Sequence, residues 1–209
     1  MQYHHVVAHL RDAYNGSANE RNENELEAWK LAERQRVLDV FRDHGAQRLL
    51  EIGAGAGKDA AFFRDQGLDV VCTDLSPEMV RHCQAKGLTA HVMDFLSLNF
   101  PPASFDAVYA LNCLLHVPKQ ALQAVLERAR LVLKPGGLFY IGVCSGRDWE
   151  GVAPWDWHDP KRFFAYSTNE NLIATVALVF DVVAFEQIAV DPNDEYHFQS
   201  LMLRKPERA

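Results

Sequence analysis

A chain of 209 residues that is 48% hydrophobic and 23% charged has the composition of one globular domain large enough to hold a proper core. Its net charge of −7 sets any nucleic-acid partner against a repulsive field, and no apolar run approaches the ~20 residues that span a bilayer. Met1-Gln2-Tyr3-His4-His5 lacks the basic start and apolar core of a signal peptide, and Cys72, Cys83, Cys113 and Cys144 have no C-x-x-C spacing. The expectation is a cytoplasmic protein with reduced thiols, no metal site and no membrane contact.

In chain order, residues 1–47 read as a mainly helical extension ahead of the first strand. Leu26, Trp29, Leu31, Val37, Leu38 and Phe41 recur at near-helical spacing, and His44-Gly45 stops the run. The stretch 12–22 before it is polar and turn-rich. From there apolar runs and helical patterns alternate. Strands are predicted at 48–52, 69–73, 89–93, 105–111, 137–144, 181–188 and 196–203, and helices at 58–66, 77–86, 119–133 and 168–179. Ser76-Pro77-Glu78 supplies an N-cap, a first-turn proline and an early acid. Gly67 and Gly87 end helices, and Pro135-Gly136-Gly137 turns the chain into the fifth strand. Only a loop parts the last two strands, so the pattern predicts an α/β doubly wound seven-stranded sheet with an antiparallel last strand. The tail from Leu203 onward reads as a frayed end.

The chemistry gathers at Glu51-Ile52-Gly53-Ala54-Gly55-Ala56-Gly57-Lys58-Asp59, where a buried strand meets a glycine turn and a helix begins. A phosphate-binding P-loop would need four residues between its first glycine and Gly-Lys, followed by Ser or Thr. Here three intervene and Asp59 follows, which excludes it. The dinucleotide fingerprint G-x-G-x-x-G is missed by one residue. Val70-Val71-Cys72-Thr73-Asp74 then ends the second strand in an acid, where such sheets grip a ribose.

The run Glu51-x-Gly53-x-Gly55-x-Gly57 resembles the first motif of the class I S-adenosylmethionine-dependent methyltransferases. The resemblance implies a Rossmann-like sheet, with residues 48–209 as the cofactor-binding domain and residues 1–47 as a helical cap. It implies S-adenosylmethionine as cofactor and a small-molecule acceptor, with methyl transfer to O, N, S or C. Cofactor contacts are implied for Glu51, Gly53, Ala54, Gly55, Gly57, Asp74, Leu75, Met79, Asp94, Phe95, Leu111 and Asn112. Asp94 would take the adenine amine, with the alternative that it caps a loop. Tyr14 would close over the sulfonium by a cation–π contact, or be a surface aromatic. His116, just past the fourth strand, is the candidate general base, or packs beside the cofactor. The segment 146–166 holds three of the four tryptophans and reads as a lid over the acceptor. Trp149, Trp155, Trp157 and Arg162 would bind the acceptor there, with a satellite aromatic cluster as the alternative. A nicotinamide-dependent oxidoreductase and a non-catalytic cofactor-binding regulator stand as the other readings.

Overall fold

The computed structural model describes residues 1–190 and 196–207. Three helices come first: α1 (Tyr3–Gly16), α2 (Ala18–Glu23) and α3 (Ala28–Asp43). The alternating body follows as β1 (Arg48–Ile52), α4 (Lys58–Asp65), β2 (Asp69–Asp74), α5 (Pro77–Ala85), β3 (Thr89–Val92) and β4 (Phe105–Leu111). It continues with α6 (Lys119–Val132), β5 (Leu133–Ser145), β6 (Trp149–Val152), β7 (Phe163–Tyr166), α7 (Asn169–Val176), β8 (Asp181–Ala189) and β9 (His197–Arg204).

Seven strands form one sheet in the order β3-β2-β1-β4-β5-β9-β8. Strands β3, β2, β1, β4 and β5 pair in parallel, while β9 runs antiparallel to both β5 and β8. The period-2 alternation of side chains sorts the two faces. On one face, Leu49, Val70, Ala107, Tyr109 and Leu138 meet Val37, Leu38 and Phe41 of α3, Phe63 of α4 and Val80 of α5. On the other, Leu50, Val71, Val108 and Phe139 meet Leu122, Val125, Leu126 and Ala129 of α6 and Leu172 and Val176 of α7. Helices on both faces of a parallel sheet are what near-continuous apolar strands require, because both sides of each strand must be buried. Among the described residues no helix is long and apolar enough to cross a membrane.

The structure corrects the reading of residues 12–22. They are not turns but the end of α1 and all of α2 except its last residue, Glu23. Val6, Leu10 and Ala13 are the buried stripe of α1, spaced four and three apart, a helical period hidden by the His and Asn residues around it. Val6 and Leu10 pack on Phe163, and Tyr14 packs with Ala18, Ala56 and Met79, so the cap lies across the carboxyl edge of the sheet. The lid segment also differs from expectation: β6 and β7 form a separate antiparallel hairpin, pairing Trp149 with Tyr166 through Val152 with Phe163. Strand β5 starts four residues before the predicted position, and its pairing with β4 slips between Phe105 and Ala107 to absorb the Pro135-Gly136 turn. The tail is tied where fraying was expected. Lys205 exchanges backbone hydrogen bonds with Gly136 and Gly137, and its ammonium donates to the carbonyls of Arg130 and Leu133. The end of that predicted tail, residues 208 and 209, lies outside the described residues.

Candidate active site

The carboxyl ends of β1, β2 and β4 open into a cavity of about 1280 Å³, counted out to its mouth. The floor is the turn between β1 and α4. Its three glycines all have positive φ, but they do different work. A Cβ on Gly53 would lie 2.5 Å from Cys113 Cβ, and one on Gly57 would lie 2.8 Å from Cys83 Sγ and from Leu88 Cδ1. Those two let the backbone pack. Gly55 has nothing within 4 Å of that position, and lines the cavity. It leaves the main chain bare toward a ligand.

Two acids stand over this turn. Glu51, at the end of β1, is buried, and its Oε2 has no hydrogen-bond partner among the described residues. Burial first, then the nearby Asp59 and Asp74 charges, hold its carboxyl well above the usual carboxylate range. Asp74, at the end of β2, accepts from the N–H of Gly55 and of Ser76, each at 2.8 Å. Burial raises its pKa, opposed by those backbone donors and by Arg21. Each carboxylate oxygen keeps a further lone-pair site for a ligand hydroxyl. Ser76 caps α5 by accepting from Met79 N, and its hydroxyl donates to Asn15 at the end of α1.

Above these acids sit Tyr14 and His116. The Nδ1 of His116 lies 2.6 Å from the carbonyl of Phe163, which can only accept, so Nδ1 carries the proton. Nε2 is therefore the acceptor of the Tyr14 hydroxyl proton, at 2.6 Å. Burial foremost, with the Arg162 and Arg21 charges, lowers the His116 pKa to about 3. With both nitrogens engaged, His116 in this arrangement holds the Tyr14 hydroxyl. Burial raises the Tyr14 pKa despite Arg162 and Arg21, so its hydroxyl stays neutral. The Tyr14 ring has guanidinium groups at 5.1 Å (Arg21) and 5.6 Å (Arg162). The cation–π partners at this ring are thus two of the chain's own arginines.

The remaining predicted residues divide cleanly. Ala54, Leu75, Met79, Phe95, Leu111 and Asn112 join Tyr14, Glu51, Gly53, Gly55, Asp74 and His116 on the cavity wall. Asn112 takes a positive φ of 49° and accepts from Cys144 N, which binds the end of β4 to β5. Asp94 lies instead in a narrow apolar crevice under α1, with Tyr3, Val6, Val7 and Leu10. Its Oδ1 accepts from Leu96 N at 2.8 Å and from the Tyr3 hydroxyl at 3.1 Å, so in this arrangement it caps a loop and seats α1.

Trp149, Trp155 and Trp157 are not brought to the cavity wall. Trp149 and Trp155 pack together at 4.8 Å and gather with Arg147, Tyr166 and Tyr196, while Trp157 is 64% exposed against His158. Arg162 of the hairpin does approach the site, with its Nη1 3.3 Å from the Tyr14 oxygen. Its Nε and Nη2 are held by Asp156 at 3.0 and 2.8 Å, so this cation already has a carboxylate. The hairpin's contribution is the Phe163 carbonyl and Arg162, delivered to His116 and Tyr14. Reading the sequence missed Arg21, Asn24, Leu26, Lys30 and Lys58, which wall the cavity from α2, the segment between α2 and α3, α3 itself and α4. The helical period of α1 would have pointed to α2 as part of a docked cap.

A parallel sheet with one antiparallel strand next to its edge, and an acid–glycine turn at its carboxyl rim, defines the class I S-adenosylmethionine-dependent methyltransferase fold. Comparison with known proteins agrees: residues 49–137 match the family described as a methyltransferase domain. The ubiquinone biosynthesis O-methyltransferase of Xylella fastidiosa (strain 9a5c) is 31% identical over 107 residues, covering 47% of this chain and 42% of that protein. The 24-methylenesterol C-methyltransferase 2 of Oryza sativa subsp. japonica is 33% identical over 114 residues, covering 50% and 31%. The chain thus spans less than half the length of these curated relatives. Among solved structures, the 1,6-didemethyltoxoflavin-N1-methyltransferase of Burkholderia thailandensis, with bound 1,6-didemethyltoxoflavin and S-adenosylhomocysteine, superposes with a TM-score of 0.76 at 24% identity. The likeness covers 99% of this chain and 91% of that one.

Proposed function

We propose that this protein binds S-adenosylmethionine in the cavity and transfers its methyl group to a small-molecule acceptor. The observation that carries the reading is Glu51: a buried carboxyl with an unpartnered oxygen beside a bare glycine backbone. Such a floor suits a cationic amine and an adenosine without phosphates. The bound cofactor supplies an electrophilic methyl on a sulfonium. In this reading Asp74 accepts from the ribose hydroxyls, Leu75, Met79 and Phe95 pack against the adenosine, and Glu51 receives the amine. Tyr14, held by His116, roofs the reacting region and excludes water, which leaves alignment of acceptor and methyl as the main source of acceleration. An overall charge of −7 supports a small acceptor over a nucleic acid.

Titration calorimetry tests this directly. S-adenosylmethionine and S-adenosylhomocysteine should bind and NAD should not, and Asp74→Ala should weaken S-adenosylhomocysteine at least about a hundredfold, since two ligand hydrogen bonds and the backbone contacts to Gly55 and Ser76 are lost together. Binding of NAD in place of both would sink the reading.

A further inference from the structure

A second cavity lies behind one wall of the site. The turn after β4 supplies both faces of that wall: Leu111, Asn112, Cys113 and His116 line the large cavity, while Leu114, Leu115 and Val117 line the second one. Cys144, at the end of β5, belongs to the second cavity and donates its N–H to the Asn112 carboxamide at 2.9 Å, so the two spaces meet along one rim. Apolar side chains of β5, α6 and α7 enclose most of the second space, and Ala165 of the hairpin stands on its wall. It is narrow, with a volume of about 440 Å³ counted out to its mouth, within the range of roughly 300–1,000 Å³ common to small-molecule sites. The one charged side chain among the described residues of its wall, Lys119, meets Asp148. The Ser145 hydroxyl donates to the Ser167 carbonyl at 2.7 Å and accepts from the Ser167 N–H at 2.9 Å. Gln199 of β9 is fully buried in this wall. Its Nε2 donates to the Ser167 carbonyl at 3.1 Å and to Asn169 Oδ1 at 2.7 Å, which fixes the amide's orientation. Its Oε1 has no hydrogen-bond partner among the described residues.

We propose that this second cavity holds the body of the methyl acceptor, and that it selects a neutral, apolar molecule presenting one N–H or O–H donor to Gln199. The inference rests on the methyl-transfer reading above. A buried carbonyl oxygen without a donor costs free energy, and a ligand that supplies the donor recovers it. A carboxylate, phosphate or ammonium on the ligand would find no free countercharge, because Lys119 already pairs with Asp148, and it would be stranded in an apolar wall. Arg162 of the hairpin does not alter that balance, since Asp156 holds it. The position of the anchor suits an acceptor that reaches over the rim. Gln199 lies opposite Val143 in the β5–β9 pairing, one residue before Cys144. A molecule anchored at Gln199 therefore has its far end beside Asn112 and Cys144, where the two cavities meet. Two groups on the acceptor then have separate tasks: the donor fixes its register, and the nucleophilic atom projects toward the cofactor.

Proton–nitrogen correlation NMR with indole and benzothiophene isolates the Gln199 contact, since the two share a fused bicycle and only indole carries an N–H. In the unaltered protein indole should bind about five- to fiftyfold tighter than benzothiophene, and should shift the Gln199 side-chain amide and the Val143 and Leu172 backbone amides. Indole-3-carboxylate should bind more weakly than indole. Gln199→Leu should bring indole and benzothiophene within about twofold of each other, with retained benzothiophene binding as the sign that the cavity is still formed. Should that variant not fold, the ratio and the shifts in the unaltered protein decide by themselves. Saturating S-adenosylhomocysteine should weaken indole by less than about twofold, because an acceptor binds beside the cofactor. Equal affinity for indole and benzothiophene, tighter binding of the carboxylate, shifts confined to the large cavity, or mutual exclusion with S-adenosylhomocysteine would each overturn the proposal. Failure of S-adenosylhomocysteine to bind, with the indole preference intact, would instead show that the cofactor reading is at fault and the Gln199 subsite is not.

Discussion

Gly55 and Gly57 are two residues apart in one turn and have nearly the same left-handed backbone, yet the structure asks different things of them. Both pay for a Cβ in strain, of order 1–2 kcal/mol for a non-glycine residue in that region. Gly57→Ala adds overlap with Cys83 and Leu88, so it should lower unfolding free energy by about 2–4 kcal/mol, whereas Gly55→Ala should cost only about 1 kcal/mol. Urea unfolding of the two variants measures the difference, and equal losses would show that α5 yields to the added methyl. Gly55→Ala should instead weaken S-adenosylhomocysteine, because its Cβ projects into the cavity. At His116 the testable quantity is pH dependence. The unfolded ring titrates near 6.5 and the folded one near 3, so the unfolded chain binds the extra proton in between. The stability that neutral His116 contributes is therefore complete above about pH 6.5 and is lost as pH falls toward 3, at up to about 1.4 kcal/mol per pH unit. The stability difference between the unaltered protein and His116→Gln should accordingly shrink on acidification, and a constant difference would show that the ring titrates alike in both states.

At the scale of elements, α1 is the piece whose placement makes the site. It presses Val6 and Leu10 on Phe163, seats Tyr3 on Asp94, Asn15 on Ser76 and Tyr14 on His116. Each of those partners lies on a different element, so α1 clamps β7, α5, the loop after β3 and the turn after β4 in one arrangement. Leu10 is buried and lines the cavity, and Leu10→Glu would bury a carboxylate with no partner, which costs several kcal/mol. The helix should then undock. Hydrogen exchange of the α1 amides should accelerate toward that of free chain while β1, β4 and β5 remain protected, with S-adenosylhomocysteine affinity falling at least about tenfold. Unchanged exchange in α1 would mean that its docking does not depend on this contact.

For the whole molecule, the sheet and its two helical layers are a scaffold that brings distant segments to one rim. Glu33 of α3 shows how that scaffold is locked. It accepts from Tyr140 of β5 and Ser200 of β9 and pairs with Arg36 at 2.7 Å, so a polar network inside the structure joins the cap to the far half of the sheet. Burial alone would raise this carboxyl; its donors more than offset that and hold its pKa below the ordinary value. The cap and the sheet are thereby tied at two separated places, α1 over the cavity and α3 over β5 and β9.

Strand, turn and helix positions in the body of the chain were legible because apolar period, glycine stops and N-caps are local signals that each act within a few residues. The acid–glycine motif, Asp74 and the order of alternating elements were readable for the same reason, and with them the fold and the class of site. What the tryptophans face and which nitrogen of His116 carries the proton were not. Those follow from partners 47, 102 or 148 residues away in the chain, such as Phe163 for His116, His116 for Tyr14 and Arg162 for Tyr14. A side chain's role in a site depends on which of its hydrogen-bonding atoms are already engaged, and only the tertiary packing of cap, hairpin and sheet decides that.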